Sequence, residues 1–197
     1  MLNLEFISIS LLMGSFIVSY LMIPRIISIV TYKKWMDKPN ERSSHEGVVP
    51  NLGGVVFFVS LMLSFYFTEQ FDYKNTIMSI IPGLTVLFIF GLQDDLVVLG
   101  PLSKLGAQVL SALFLAFHYN LESLHGFMGI EGLSEYIAIP LVVIMLVTII
   151  NAVNLIDGID GLASTVGIIM FSVFGFLFYL TDQLFLTLTC IVMIGSL

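Results

Sequence analysis

The sequence predicts an all-α fold, a polytopic bundle of transmembrane helices, and three observations predict it. Of 197 residues, 58% are hydrophobic and only 11% are charged, with a mean hydropathy of +1.04, far from soluble globular composition. The apolar runs are long and lack the period-2 alternation of a membrane strand. The charges gather in the connections between runs. Lipid offers backbone groups no hydrogen-bonding partner, so such a chain spans as helices or as a closed barrel, and unbroken runs favour helices.

About seven apolar segments follow one another. The first, Leu4 to Val30, has no basic residue ahead of it and reaches the roughly 20 residues a bilayer requires; it reads as a retained span rather than a secretory leader. The others are Leu52 to Thr68, Ile77 to Leu92, Leu105 to Tyr119, Tyr136 to Ile150, Leu162 to Leu180 and Leu184 to Leu197. With alternating spans, connections one, three and five share a side that collects Arg25, Lys33, Lys34, Lys38, Arg42 and Lys104, six of the seven basic residues. The positive-inside rule makes that side cytoplasmic and places the N-terminus outside. The single cysteine, Cys190, lies in an apolar run and reads as a packing thiol. Residues 1–197 form a single integral membrane domain with no repeat or linker, and the last segment ends inside an apolar run, so C-terminal truncation is expected.

Polar residues break this pattern at three places on the expected cytoplasmic side. The third segment ends in Gly91-Leu92-Gln93-Asp94-Asp95. Between the fifth and sixth segments lies NAVNLIDGIDGLA, Asn151 to Ala163. If it is helical, Asn154, Asp157 and Asp160 share one face; if it turns, Gly158 and Gly161 let a ligand approach the backbone closely. An ionised carboxylate at the bilayer centre costs roughly 2.5–3.5 kcal/mol, so these carboxylates belong at the interface or in a wet cavity. Adjacent like charges are relieved most simply by a divalent cation, which makes Asp94 and Asp95 candidates for magnesium coordination or proton abstraction. An isolated Asp-Asp is ordinarily a solvated turn, and Asn or Asp before Gly is ordinary turn chemistry. Two such clusters in so acid-poor a chain point instead to a shared site.

The first connection brings cations to the same side. Lys33 and Lys34 are topology signals, whereas Arg42 and His45 are candidate phosphate contacts, and Gly53-Gly54 could bring backbone amides near an anion.

Three strings in this order, DKPNERSSHEGVVPNLGG (Asp37 to Gly54), GLQDDLVVLGPLSKLGA (Gly91 to Ala107) and NAVNLIDGIDGLA, resemble the polyprenyl-phosphate N-acetylhexosamine-1-phosphate transferases. The resemblance implies a multi-pass enzyme of the bacterial inner membrane with a cytoplasmic active site. Such an enzyme moves a sugar 1-phosphate from a UDP-sugar to undecaprenyl phosphate and initiates a cell-envelope glycan. It implies catalytic roles for Asp94, Asp95, Asp157 and Asp160, with Asp95 and Asp157 on Mg2+, for which Mn2+ could substitute. Asn154, Gly158, Gly161, Arg42 and His45 are its expected substrate contacts. The first connection is closer to the GlcNAc-type branch than to the MurNAc-pentapeptide branch. The family's later motifs, an aspartate before Gly-Ser and a histidine-rich loop, do not occur in the chain. Membrane lipid and a homodimer are expected partners, and nucleic acid is not. Two other readings stay open: a proton- or cation-coupled transporter, disfavoured by span interiors nearly without charge, and an inactive truncated membrane protein.

Overall fold

The structure, a computed structural model, describes residues 4–33, 35–37, 49–50, 52–68, 74–97, 99–118, 134–156 and 161–197. Among them are seven helices: α1 (Leu4–Lys33), α2 (Gly54–Thr68), α3 (Lys74–Leu96), α4 (Pro101–His118), α5 (Glu135–Ile156), α6 (Leu162–Leu180) and α7 (Leu184–Ser196). Each apolar run is helical, and α6 has the bounds its run predicts. The helices nearest the polar clusters outrun their apolar segments, α3 beyond Leu92 to Leu96 and α5 beyond Ile150 to Ile156. Hydropathy marks where a helix leaves an apolar environment, whereas its hydrogen-bond ladder propagates until a cap or breaker stops it.

Among the described residues, four helices are long and apolar enough to cross a bilayer: α1, residues Ile77–Leu96 of α3, Tyr136–Ile156 of α5, and α6. The other three, of 15, 18 and 13 residues, fall short of the roughly 20 a span needs. The chain is an integral membrane protein, and among its described residues four of the seven helices have spanning length.

The contacts divide the chain into two compact units, Met1–Tyr73 with Ile156–Leu197, and Lys74–Leu155. In the first, α7 is the central helix, packed by α1, α2 and α6 and burying Phe185, Thr187, Leu188, Cys190, Val192, Gly195 and Ser196. Small residues set these approaches. The Ser19 hydroxyl donates to the Ser196 carbonyl at 3.1 Å, and a Cβ on Gly195 would meet Ser15 Oγ and the Leu12 carbonyl oxygen. Without a hydrophobic force between helices in lipid, close backbone approach and interhelical hydrogen bonds supply the attraction. Helix α2 adds a seam of Val56, Ser60, Ser64 and Thr68 at every fourth position, all buried. Ser64 and Thr68 donate back to their own helix, while Ser60 Oγ has no hydrogen-bond partner among the described residues. Helix α6 packs on α7 without burying any side chain fully.

Strands β1 (Met36–Asp37) and β2 (Val49–Pro50) pair antiparallel, Met36 opposite Pro50 and Asp37 opposite Val49, and so join the two ends of the first connection. In the second unit α3 and α4 pack as an antiparallel hairpin. Gly83 lets them close: the Ser111 hydroxyl donates to its carbonyl at 2.7 Å, and an added Cβ would stand 3.1 Å from the Ser111 carbonyl oxygen.

Candidate active site

Asp94 lies in the last turn of α3, where the helix leaves carbonyls without intrahelical donors. Val97 N–H returns to the Gln93 carbonyl at 2.7 Å. The chain then turns back, and Leu99 N–H donates to Asp94 Oδ1 at 2.9 Å. The carboxylate thus holds the outgoing loop to the helix end. Gly100 caps α4, accepting from the amides of Ser103 and Lys104, and Pro101 follows as the first helical residue, where its missing N–H is no loss. One turn into α4, Lys104 Nζ reaches Asp94 Oδ2 at 2.8 Å. The side chains are 42% and 25% exposed, so this is a half-screened pair at the mouth of the hairpin.

Both oxygens of Asp94 are therefore engaged, one by an amide and one by an ammonium. Each carboxylate oxygen still has a second lone-pair position for a proton or a metal. Asp95, the next residue on the helix, is exposed.

Farther along α4, Gln108 forms a reciprocal amide pair with Asn151 of α5. Asn151 Nδ2 donates to Gln108 Oε1 at 2.8 Å, and Gln108 Nε2 donates to Asn151 Oδ1 at 3.4 Å. Asn151 Nδ2 also donates to the Val147 carbonyl at 2.8 Å, which fixes its rotamer against its own helix. Asn154 lies one turn farther along α5 and is exposed.

The Asn151–Ala163 stretch is not one helix throughout. Its first six residues complete α5, and Gly161, with φ 71° and ψ −5°, stands in the left-handed conformation before α6. Only glycine adopts that geometry without steric penalty, so a single helical face running on through residue 161 is excluded. The Gly161 carbonyl accepts from both the amide and the hydroxyl of Thr165, securing the start of α6. Asp157, Gly158 and Asp160 lie outside the described residues, as do Arg42 and His45. At the other glycine pair, the amides of Val55 and Val56 return to the carbonyls of Leu52 and Gly53, opening α2. Leu52 has a positive φ of 84° there.

Among the described residues, no three His, Cys, Asp or Glu side chains come together as a cation site. The donors at Asp94 and Asp95 are nonetheless hard carboxylate oxygens, the ligand type magnesium takes.

In the sequence Lys104 reads only as a topology charge, and Gln108 carries no role. The signal for Lys104 was its distance from Asp94 across a Gly100-Pro101 turn, because a tight antiparallel hairpin sets those two positions opposite each other. Gln108 left no such trace, since its partner lies 43 residues away.

Comparison with known proteins bears on this arrangement. The family described as "Glycosyl transferase family 4" matches residues 77–197. A curated relative from Pasteurella multocida (strain Pm70), an undecaprenyl-phosphate alpha-N-acetylglucosaminyl 1-phosphate transferase, is 32% identical over 80 residues. One of the same name from Haemophilus influenzae (strain ATCC 51907 / DSM 11121 / KW20 / Rd) is 29% identical over 80 residues. Each alignment covers 41% of this chain and 22% of the relative, so the match spans about a fifth of those proteins. No solved structure matches the chain at a significant level. The family match takes in more than half of the chain, including both Asp94-Asp95 and the Asn151–Ala163 stretch, and the chain therefore belongs to glycosyl transferase family 4, the polyprenyl-phosphate N-acetylhexosamine-1-phosphate transferases that its motifs resemble.

Proposed function

We propose that the protein transfers an N-acetylhexosamine 1-phosphate from a UDP-sugar to undecaprenyl phosphate at the cytoplasmic face of the bacterial inner membrane. The observation that carries this reading is the family match over residues 77–197, which contains both acidic motifs in order. The names of the two relatives supply the acceptor class and the amino sugar. In the reaction a phosphate oxygen of the acceptor bonds to the sugar-bearing phosphorus of the donor, and the bond to the nucleotide phosphate breaks to release UMP. Several negative charges converge, so the site needs carboxylates that hold a cation and basic groups that balance what remains.

The residues present suit that demand. Lys104, held at the hairpin mouth by Asp94, offers an ammonium whose remaining hydrogens can reach a phosphate oxygen. Asp94 or Asp95 takes the acceptor's proton, and Asp95 with Asp157 holds the magnesium. Magnesium, when bound, neutralises charge on the phosphates. Asp160, Asn154, Gly158 and Gly161 position the donor, with Arg42 and His45 as cationic contacts for phosphate. The seven-span topology with an external N-terminus, and a homodimer, belong to the same proposal.

The test is transfer in membranes containing the protein, supplied with radiolabelled UDP-sugars, undecaprenyl phosphate and magnesium. A lipid-linked product that disappears in single Asn variants of Asp94, Asp95, Asp157 and Asp160 supports the reading. No lipid-linked product from any amino sugar, or near-wild-type turnover in two of the four variants, would overturn it.

A further inference from the structure

We propose that Gln108 and Asn151 are positioning residues: their amide pair makes α4 a strut that fixes the end of α5, and with it Asn154, relative to the Asp94–Lys104 pair. The inference rests on the transferase reading for its functional readout, but its geometry stands in the second unit alone. Lys104 and Gln108 are four apart on α4 and share one face, as do Asn151 and Asn154, three apart on α5. One face of α4 therefore grips α3 through Lys104 and Asp94, and α5 through Gln108 and Asn151.

Among the described residues, α3 and α4 pack closely along their lengths, whereas α5 has no comparable close packing with either. Among the described residues, the exposed amide pair thus ties α4 to this end of α5. Its geometry is over-determined: Asn151 uses one Nδ2 hydrogen on Gln108 and the other on the Val147 carbonyl, and its Oδ1 accepts from Gln108. A leucine at either position keeps the bulk, removes the tie, and leaves the partner amide without its donor and acceptor. Interhelical side-chain hydrogen bonds in membrane proteins correspond to a factor of roughly three to fifteen in an equilibrium. Misplacing Asn154, a proposed donor contact, by that freedom weakens donor binding.

The experiment compares Gln108→Leu, Asn151→Leu, the double leucine variant and the exchange Gln108→Asn with Asn151→Gln, in the full protein in its membrane. KM for the UDP-sugar is expected to rise about threefold to fifteenfold in each single variant, no further in the double, and to return to within about twofold in the exchange. A loss of folded enzyme alone would lower the rate and leave KM where it was. Spin labels at the exposed positions Val97 and Leu155, with native cysteines replaced, give a second readout. The distance distribution should widen in the single variants and narrow again in the exchange. Unchanged KM, additive losses, failure of the exchange or an unaltered distribution would each overturn the proposal. If the wild-type protein forms no lipid-linked product, the transferase reading falls, and the label distances alone decide whether the amide pair is a strut.

Discussion

Replacing Asp94 by Asn separates the structural job of this carboxylate from the catalytic one proposed for it. Asn keeps an oxygen to accept from Leu99 N–H, now at 2.9 Å, and gives up the ion pair to Lys104. Lys104 is 42% exposed, and ion pairs this open to solvent contribute about 0.2–1 kcal/mol. The upper end is about fivefold in the folded-to-unfolded ratio, or roughly 2–4 °C of melting temperature for a chain of this size. A carboxylate that moves a proton in the reaction contributes far more, about 10²–10⁴-fold in rate. Asp94→Asn should therefore melt within a few degrees of wild type in detergent while transfer to undecaprenyl phosphate falls at least a hundredfold. Lys104→Gln removes the same ion pair, and its melting temperature supplies the comparison for the structural contribution. An activity loss in Asp94→Asn of less than about fivefold, with a melting shift equal to that of Lys104→Gln, would show that Asp94 only closes the hairpin.

Three other outcomes follow from the packing and the donor chemistry. Chelation with EDTA should abolish transfer in membranes and added Mg2+ or Mn2+ restore it, since the charges need a cation between them; undiminished transfer in EDTA would remove the metal from the proposal. Gly195→Ala should lower the melting temperature by the equivalent of about 1–3 kcal/mol, because the new methyl meets the Leu12 carbonyl oxygen at 2.5 Å. Gly14→Ala on α1 has nothing within 4 Å and should be neutral or better; equal melting of the two variants would refute the α1–α7 approach. Ser60→Ala should leave the melting temperature unchanged or raised, because its buried hydroxyl has no partner among the described residues and an unpaired hydroxyl costs about 1–3 kcal/mol to desolvate; a large drop would reveal a bond to that hydroxyl.

The amino-acid sequence alone determined the class, the seven helical segments and the places where polar residues interrupt them. Burial of an unpaired peptide group in lipid is so unfavourable that an unbroken apolar run without strand alternation is left with the helix. It also carried the family, because the acidic motifs are contiguous strings that can be read without a fold. It placed the ends of α3 and α5 too early, since Asp94, Asp95, Asn151 and Asn154 look like loop residues by polarity yet remain in their helices. Only the tertiary structure decided which polar side chains meet. That Lys104 faces Asp94 depends on how tightly the Gly100-Pro101 turn closes the hairpin. That Gln108 faces Asn151 depends on the rotation of two helices joined by more than a dozen intervening residues. Such rotations are set by contacts distant in sequence, among them the Ser111 hydroxyl on the Gly83 carbonyl, and no local pattern along the chain encodes them.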